Sequence, residues 1–162
     1  HTALAKLEKM GKVSSVITQN IDGLHQLAGS QKVIELHGSI HRNYCEACHA
    51  FYDLASILNA KGVPLCSKCG GRVKPDVVLY QESLSSDSLE SAVYEISHGD
   101  ALIVGGTSLM VYPAAGLLRY FNGSCCVLIN KNPTAMDRQA NLLINDDIAS
   151  VFQAVMDRIG SV

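Results

Sequence analysis

Four cysteines in two close pairs restrict the fold of this chain more than any other feature. They read C-x2-C-x17-C-x2-C, at Cys45, Cys48, Cys66 and Cys69, and each pair can sit on a tight turn that presents two thiolates to one tetrahedral ion. Because sulfur would fill all four positions, none is left for water or substrate, which favours a structural zinc over a catalytic one. Two disulfides, or ordinary buried thiols, are the alternatives to this prediction.

The remaining cysteines and the nearby histidines are not needed for that site. His41 and His49 flank the first pair and could replace a cysteine, but four thiolates already complete the site. Cys125 and Cys126 fall on a predicted buried strand, where cysteine usually behaves as a small hydrophobe. Six cysteines in 162 residues are too sparse for a disulfide scaffold, and the N-terminus lacks the apolar stretch of a secretory signal. We therefore expect a reducing, cytoplasmic setting.

Composition and charge limit the kinds of partner that this chain is expected to bind. Apolar residues make up 48% of the chain, yet no apolar run approaches the ~20 residues that cross a bilayer, so we expect no membrane contact. The net charge is −2, from 13 basic and 15 acidic residues. Direct nucleic-acid binding depends on clustered Lys and Arg and is therefore not expected. Small molecules and polypeptides remain as partners.

Short apolar runs alternate with helical patterns, which is typical of an α/β protein whose parallel sheet has helices on both faces. The runs predict strands at residues 13–18, 33–37, 76–80, 101–104 and 125–130 and a weaker one at 141–144. Helical spacing predicts helices at the N-terminus, over residues 86–97, from Pro113, and from Ile148 to Ile159. Residues 42–74 break the alternation, and we predict that they form a small inserted module with a short helix near residues 54–58.

Three loops follow predicted strands and carry polar or small residues. Ligands of open parallel sheets bind at the carboxyl ends of the strands, where these loops would meet. Amides and a carboxylate after the first strand suit a hydroxylated, amide-bearing ligand, small residues after residue 104 suit an anion, and the third loop suits a ribose or an adenine. The loops contain Gln19, Asn20, Ile21 and Asp22; Gly106, Thr107 and Ser108; and Asn130, Lys131 and Asn132. Asn and Gly also occur in loops for turn geometry alone, and no G-x-G-x-x-G fingerprint is present.

His37 ends the predicted strand at residues 33–37 and precedes Gly38. An imidazole at this edge of the sheet can exchange a proton near neutral pH, so His37 is a candidate general base. A histidine that only forms a hydrogen bond at a strand end is the alternative.

Taken together, these segments resemble the sirtuins, which are NAD-dependent protein deacylases. The resemblance rests on motifs in family order that span nearly the whole chain: Thr18-Gln19-Asn20-Ile21-Asp22-Gly23-Leu24-His25, Glu35-Leu36-His37-Gly38-Ser39, the four cysteines, Lys74-Pro75-Asp76-Val77-Val78-Leu79-Tyr80, Gly106-Thr107-Ser108-Leu109 and Ile129-Asn130. It implies a Rossmann-like NAD-binding domain made of residues 1–41 and 75–162, and a zinc-binding module at residues 42–74. An acyl-lysine protein or peptide would lie between them.

The resemblance also implies roles for individual residues. His37 would be the base that activates a ribose hydroxyl, after nicotinamide has left, so that the acyl group passes from lysine to ADP-ribose. The implied NAD contacts are Gln19, Asn20, Ile21 and Asp22 for nicotinamide and ribose, Gly106, Thr107 and Ser108 for phosphate, and Asn130, Lys131, Asn132 and Ile148 for adenosine. The implied substrate contacts are Val78 and Tyr80 in the acyl-lysine tunnel, and Leu79 and Glu82 in the segment that pairs with the substrate backbone.

The chain departs from the sirtuin pattern in two places. The Gly-Ala-Gly-x-Ser loop of the family and its Pro-Asp-Phe-Arg segment do not occur, so these 162 residues alone are expected to have an incomplete NAD site and to be inactive. Gln81 stands where many sirtuins have Gly. The alternative function is a non-catalytic, zinc-containing module that binds a peptide or ADP-ribose. An ordinary nicotinamide oxidoreductase is disfavoured by the missing dinucleotide fingerprint.

Overall fold

The computed structural model of the chain describes residues 1–108 and 114–160. Five α-helices and eight strands lie in these ranges. In chain order they are α1 Thr2–Lys9, β1 Val16–Thr18, α2 Leu24–Leu27, β2 Val33–Glu35, β3 Gly38–Cys45, β4 Phe51–Tyr52, α3 Leu54–Leu58, β5 Val73–Val77, α4 Ser86–His98, β6 Ala101–Gly105, β7 Cys125–Ile129, β8 Leu142–Ile144 and α5 Ile148–Ile159, with 3-10 helices at Ala114–Tyr120 and Asp137–Gln139.

Two parallel strand groups form the larger part of the fold. Strand β1 pairs with β2, and β6, β7 and β8 pair side by side in that order. Within the described ranges no ladder joins the two groups, but one apolar core does. Ile17, Ile34 and Leu102 pack against one buried cluster, which includes Ala92 and Ile96 of α4. The parallel α/β class predicted from the sequence is confirmed.

A second apolar core covers the opposite face of the three-stranded group. Val127 and Ile129 of β7 pack there against Phe152 of α5 and Leu7 of α1. Leu102 of β6 pairs in register with Cys126, so it points away from the side chain of Val127. The sheet therefore has helical elements on both faces, as the sequence predicts.

A separate antiparallel sheet contains the cysteine pairs. Strand β3 lies between β4 and β5, and its small core consists of Cys45, Cys66 and Val73. Helix α3 spans the predicted residues, and Asp53 caps it by accepting a hydrogen bond from Ser56 N–H at 2.8 Å. The predicted parallel strand at residues 76–80 is wrong. The strand is Val73–Val77, and it runs antiparallel to β3. It begins at Val73, which belongs to the cysteine core.

Other boundaries differ by a few residues. The first two strands are shorter than predicted: β1 begins at Val16, and β2 ends at Glu35, which leaves His37 in a turn. Helix α2 was not predicted, because its four residues are too few to show a helical period. Helix α5 spans the predicted residues, with Asp147 as its N-cap and Gly160 as its C-cap. The predicted helix start at Pro113 lies outside the described residues. No helix in the described ranges is long and apolar enough to span a bilayer.

The chain passes from the parallel group into the antiparallel sheet at Gly38. Its φ is +76°, and a Cβ atom on it would overlap the carbonyl oxygen of Asp76 in β5. We expect Gly38→Ala to lower the free energy of unfolding by roughly 3 kcal/mol or more, because backbone atoms must move to admit the methyl group. Urea denaturation of the zinc-loaded chain measures this loss.

Gly11→Ala is the matched control for that substitution. Gly11 has a similar φ of +68°, with open space where a Cβ would lie. Only the left-handed backbone penalty applies there, about 1 kcal/mol. Equal losses in the two variants would contradict the proposed close approach at Gly38.

Candidate active site and zinc-binding centre

His37 lies where the β1–β2 group meets the antiparallel sheet, half-buried in the turn between β2 and β3. Its ring Nδ1 is 2.9 Å from the carbonyl oxygen of Gln19, and its own carbonyl accepts a hydrogen bond from Val78 N–H at 3.0 Å. A carbonyl oxygen can only accept, so Nδ1 donates the proton and the neutral ring carries its lone pair on Nε2. The imidazole is therefore fixed in the tautomer that a general base needs.

The loop after β1 reaches His37 through Gln19 and is held by local hydrogen bonds. Asn20 N–H donates to Thr18 Oγ1 at 3.0 Å, and the carbonyl of Ile21 accepts from Ile40 N–H of β3 at 3.1 Å. Asp22 Oδ1 accepts from Leu24 N–H at 3.0 Å, at the start of α2. The four predicted residues of this loop thus lie together beside the histidine, and one carboxylate oxygen of Asp22 is engaged locally.

The second and third predicted loops are joined by Asn130, a buried residue that follows β7. Its side-chain Oδ1 accepts from Thr107 N–H at 3.2 Å, and its Nδ2 donates to the Thr107 carbonyl at 2.9 Å. Gly106, beside Thr107, has a φ of +66° and open space where a Cβ would lie. The paired amide bonds hold the start of the loop after β6 in one conformation.

Helix α5 begins at the same edge. Lys131 forms an ion pair with Asp147 at 2.9 Å, and Asp147 also caps α5 by accepting from Ala149 and Ser150 N–H. The hydrogen bond from Lys131 is the main cause that lowers the pKa of Asp147. Ile148 packs against Gly105 so closely that a Cβ there would overlap its Cδ1.

The predicted residues of the second and third loops therefore lie with Ile148 at the carboxyl ends of β6, β7 and β8. Four of them are exposed: Gly106, Ser108, Lys131 and Asn132.

The predicted substrate segment leaves β5 and turns back on itself. Glu82 N–H donates to the Leu79 carbonyl at 3.0 Å, and the Glu82 carboxylate accepts from Leu79 N–H at 2.8 Å and from Lys74 Nζ at 3.1 Å. Tyr80 is fully exposed at the tip. Gln81 has a φ of +71°, the left-handed region that favours Gly at this position of a type II turn.

The sulfur atoms of Cys45, Cys48, Cys66 and Cys69 all lie within 4.8 Å of one another. The Sγ atoms of Cys45 and Cys69 are 3.4 Å apart, and those of Cys48 and Cys66 are 3.5 Å apart. These separations are far longer than a disulfide bond and close to the roughly 3.8 Å between two sulfurs on one tetrahedral zinc. The four cysteines are positioned to bind zinc.

Crowding of the four thiols also favours a cation. The Gly71 N–H lowers the pKa of Cys69, but the three neighbouring sulfurs outweigh it and raise that pKa to about 12. In contrast, the hydroxyl of Tyr52, 3.2 Å from the Cys66 sulfur, is the main cause that lowers the pKa of Cys66 to about 6. Four thiolates can coexist at neutral pH only if a positive ion offsets their repulsion.

Sequence reasoning missed Tyr52 as part of this centre. Its hydroxyl also accepts from Ser67 N–H at 2.8 Å and so ties β4 to the second cysteine pair. No local motif marks this tyrosine, because its contact with Cys66 crosses 14 positions of the chain.

The fold combines a parallel sheet of Rossmann-like type with a four-cysteine module, and His37 lies at their junction. These features define a Rossmann-like protein with a structural metal centre. Residues 1–113 match the Sir2 family. The chain belongs to the Sir2 family.

Two curated relatives are NAD-dependent protein deacetylases of clostridia. The protein of Clostridium perfringens is 60% identical over 158 residues, which are 97% of this chain and 65% of that protein. The protein of Clostridium tetani is 58% identical over 161 residues, which are 99% of this chain and 65% of that protein. The chain thus spans less than two thirds of the length of these relatives.

Solved structures agree with this family. Sir2Tm bound to a propionylated peptide is 42% identical and superposes with a TM-score of 0.93 over 99% of this chain and 70% of its own. A Sir2 protein with a peptide and NAD+ is 41% identical, with a TM-score of 0.91 over 100% of this chain and 70% of its own.

The hydroxyl of Tyr52 provides a test of the metal centre. We expect the chain to bind one zinc ion, and we expect Tyr52→Phe to weaken its zinc affinity by about tenfold, because a hydrogen bond that orients a ligand sulfur is lost. Competition with a chromophoric chelator measures the affinity. Tyr80→Phe is the control, since Tyr80 is fully exposed outside the cysteine module. Equal affinities of the two variants would show that the hydroxyl does not support the site.

The paired hydrogen bonds of Asn130 lead to a second prediction. We expect Asn130→Ala to cost about 1–3 kcal/mol of unfolding free energy, because the Thr107 N–H and carbonyl lose their hydrogen bonds to the buried Asn130 amide, and to speed hydrogen exchange at the Thr107 amide. Asn132→Ala serves as the control because Asn132 is exposed. Unchanged exchange at Thr107 in Asn130→Ala would mean that the loop is held by other contacts.

Proposed function

We propose that this chain carries most of an NAD-dependent protein-lysine deacetylase, which moves the acyl group of an acyl-lysine to ADP-ribose and releases nicotinamide. The observation that carries the proposal is the state of His37: the Gln19 carbonyl, 2.9 Å away, fixes Nδ1 as the donor and leaves Nε2 as the proton acceptor. The deacetylase relatives support the same reaction.

The three loops at the carboxyl ends of the parallel strands fit NAD. Gln19, Asn20, Ile21 and Asp22 would hold the nicotinamide ribose beside His37, while the small residues Gly106, Thr107 and Ser108 would receive phosphate. The adenosine end would lie near Asn130, Lys131, Asn132 and Ile148. NAD supplies the leaving nicotinamide and the ribose that accepts the acyl group. His37 would take the proton of the ribose hydroxyl through Nε2.

The acyl-lysine substrate would pass along Val78, Leu79, Tyr80 and Glu82. Val78 N–H bonds to the carbonyl of His37, so this segment starts at the catalytic residue. Leu79 and Tyr80 are exposed beyond it, where an extended peptide can pair with the backbone as an added strand. Solved Sir2 structures with acetylated and propionylated peptides support this class of substrate.

The zinc would be structural in this reaction. Its four thiolates complete a tetrahedron and leave no position for substrate. We also propose the division into an NAD-binding domain, residues 1–41 and 75–162, and a zinc-binding module, residues 42–74, as well as a cytoplasmic location. No direct contact with nucleic acid is proposed, in keeping with the net charge of −2.

The deacetylase function is tested by replacing His37. The assay measures NAD-dependent nicotinamide release with zinc and an acetyl-lysine peptide, for this chain alone and for the chain joined behind a Sir2 glycine-loop segment. We expect release by the joined form only. His37→Ala should lower that release by about 10²- to 10⁴-fold because the general base is lost.

His98→Ala is the matched control, since His98 lies at the far end of α4 and bonds only locally among the contacts described. We expect it to keep the activity of the joined form. Absence of release by the joined form, with peptide or ADP-ribose binding intact, would favour the non-catalytic binding module. Release by the chain alone would overturn the expectation that its NAD site is incomplete.

A further inference from the structure

Arg42 joins two segments that converge on His37. It lies on β3, and its guanidinium donates from Nη1 to Glu35 Oε2 at 2.7 Å and from Nε to Asp76 Oδ2 at 2.8 Å. Glu35 is the last residue of β2 in the parallel part, and Asp76 lies on β5 in the antiparallel sheet. One side chain therefore bridges the two parts of the fold.

The two acidic residues of the bridge lie close in sequence to His37 and to its backbone partner, Val78. Glu35 precedes His37 by two residues, and Asp76 precedes Val78 by two. His37 and Val78 are themselves joined by the 3.0 Å bond between the His37 carbonyl and the Val78 amide. The ion pairs of Arg42 and this backbone hydrogen bond thus hold the same two segments together at two places.

The pair of Arg42 with Glu35 is more shielded than an exposed ion pair, whereas Arg42 and Asp76 are 40% and 46% exposed. The Glu35 side chain is only 6% exposed, and its second oxygen accepts from Gln26 Nε2 at 2.9 Å. Burial lowers the pKa of Arg42, but the hydrogen bonds that it donates to Glu35 and Asp76 outweigh this effect and raise that pKa. A buried carboxylate without a cation is strongly unfavourable, so Glu35 requires Arg42 to remain in place.

We propose that Arg42 is a positioning residue for the reaction: it fixes the ends of β2 and β5 against each other and thereby places His37 opposite the substrate segment that begins at Val78. The proposal rests on the deacetylase function given above. Arg42 contacts neither the loops assigned to NAD nor the Leu79 to Glu82 turn among the described contacts. Its loss should therefore lower kcat and leave the KM for NAD unchanged.

Hydrogen exchange at the Val78 amide tests this bridge without any need for activity. In the zinc-loaded chain we expect Arg42→Met to speed exchange at Val78 by about tenfold or more, the scale of losing charge-assisted hydrogen bonds. The Asn130 amide, which bonds to the Ile144 carbonyl in the other parallel group, should keep its exchange rate. Equal acceleration at both amides would show a general loss of stability and overturn the proposal.

Two further variants separate positioning from misfolding. Arg42→Met with Glu35→Gln removes the buried charge together with its partner, so the chain should fold while Val78 still exchanges faster. Arg72→Met is the matched control, because Arg72 pairs with Glu46 at 3.2 Å while 75% exposed, and such pairs contribute little. Exchange at Val78 that is the same in the double variant and in the control would overturn the proposal.

The effect of Arg42 on catalysis is measured as nicotinamide release by the joined form. We expect both Arg42 variants to lower kcat by about 10- to 100-fold, as for an ångström-scale displacement of a catalytic group, while Arg72→Met retains activity. Unchanged kcat in the Arg42 variants would overturn this proposal alone. No release by the unsubstituted joined form, by contrast, would overturn the deacetylase function itself and the positioning role of Arg42 with it.

Discussion

The candidate site depends on one change of direction in the chain, at His37 and Gly38. A parallel strand ends at Glu35, and three residues later the chain enters an antiparallel strand. This turn is possible only because Gly38 adopts a positive φ and lacks a side chain that would meet the Asp76 carbonyl. The same close approach brings Val78 N–H to the carbonyl of His37. The catalytic candidate is therefore held by the contact between the two sheets.

The antiparallel sheet has little apolar material with which to hold its own shape. Its buried core contains Cys45, Cys66 and Val73, whereas Phe51, Leu58, Val63 and Leu65 are more than half exposed. So small a core rarely suffices without a metal or a disulfide. Four converging sulfurs supply that support once a cation offsets their repulsion, and β5 is then fixed as the base of the segment that leads from Val78 to Glu82.

At the opposite end of the proposed NAD site, polar side chains serve the scaffold as well as the ligand. Asn130 uses its whole amide on the backbone of Thr107, and Asp147 divides its carboxylate between Lys131 and the start of α5. Residues that resemble ligand contacts can therefore act by shaping loops. In the proposed NAD site, such a role in shaping loops is consistent with small and amide-bearing residues recurring at one edge of the sheet.

The sequence alone determined whatever is encoded over short distances. Cysteine spacing predicted the thiolate cluster, helical periodicity predicted α4 and α5, and alternating runs predicted a parallel α/β fold, because each of these depends on neighbouring residues. Only the tertiary structure decided that β5 belongs to the cysteine sheet, that Tyr52 supports Cys66, that Gln19 sets the tautomer of His37, and that Arg42 links Glu35 to Asp76. Those contacts join residues far apart in the chain, and their geometry depends on how the two sheets pack. A local sequence pattern does not predict how the sheets pack.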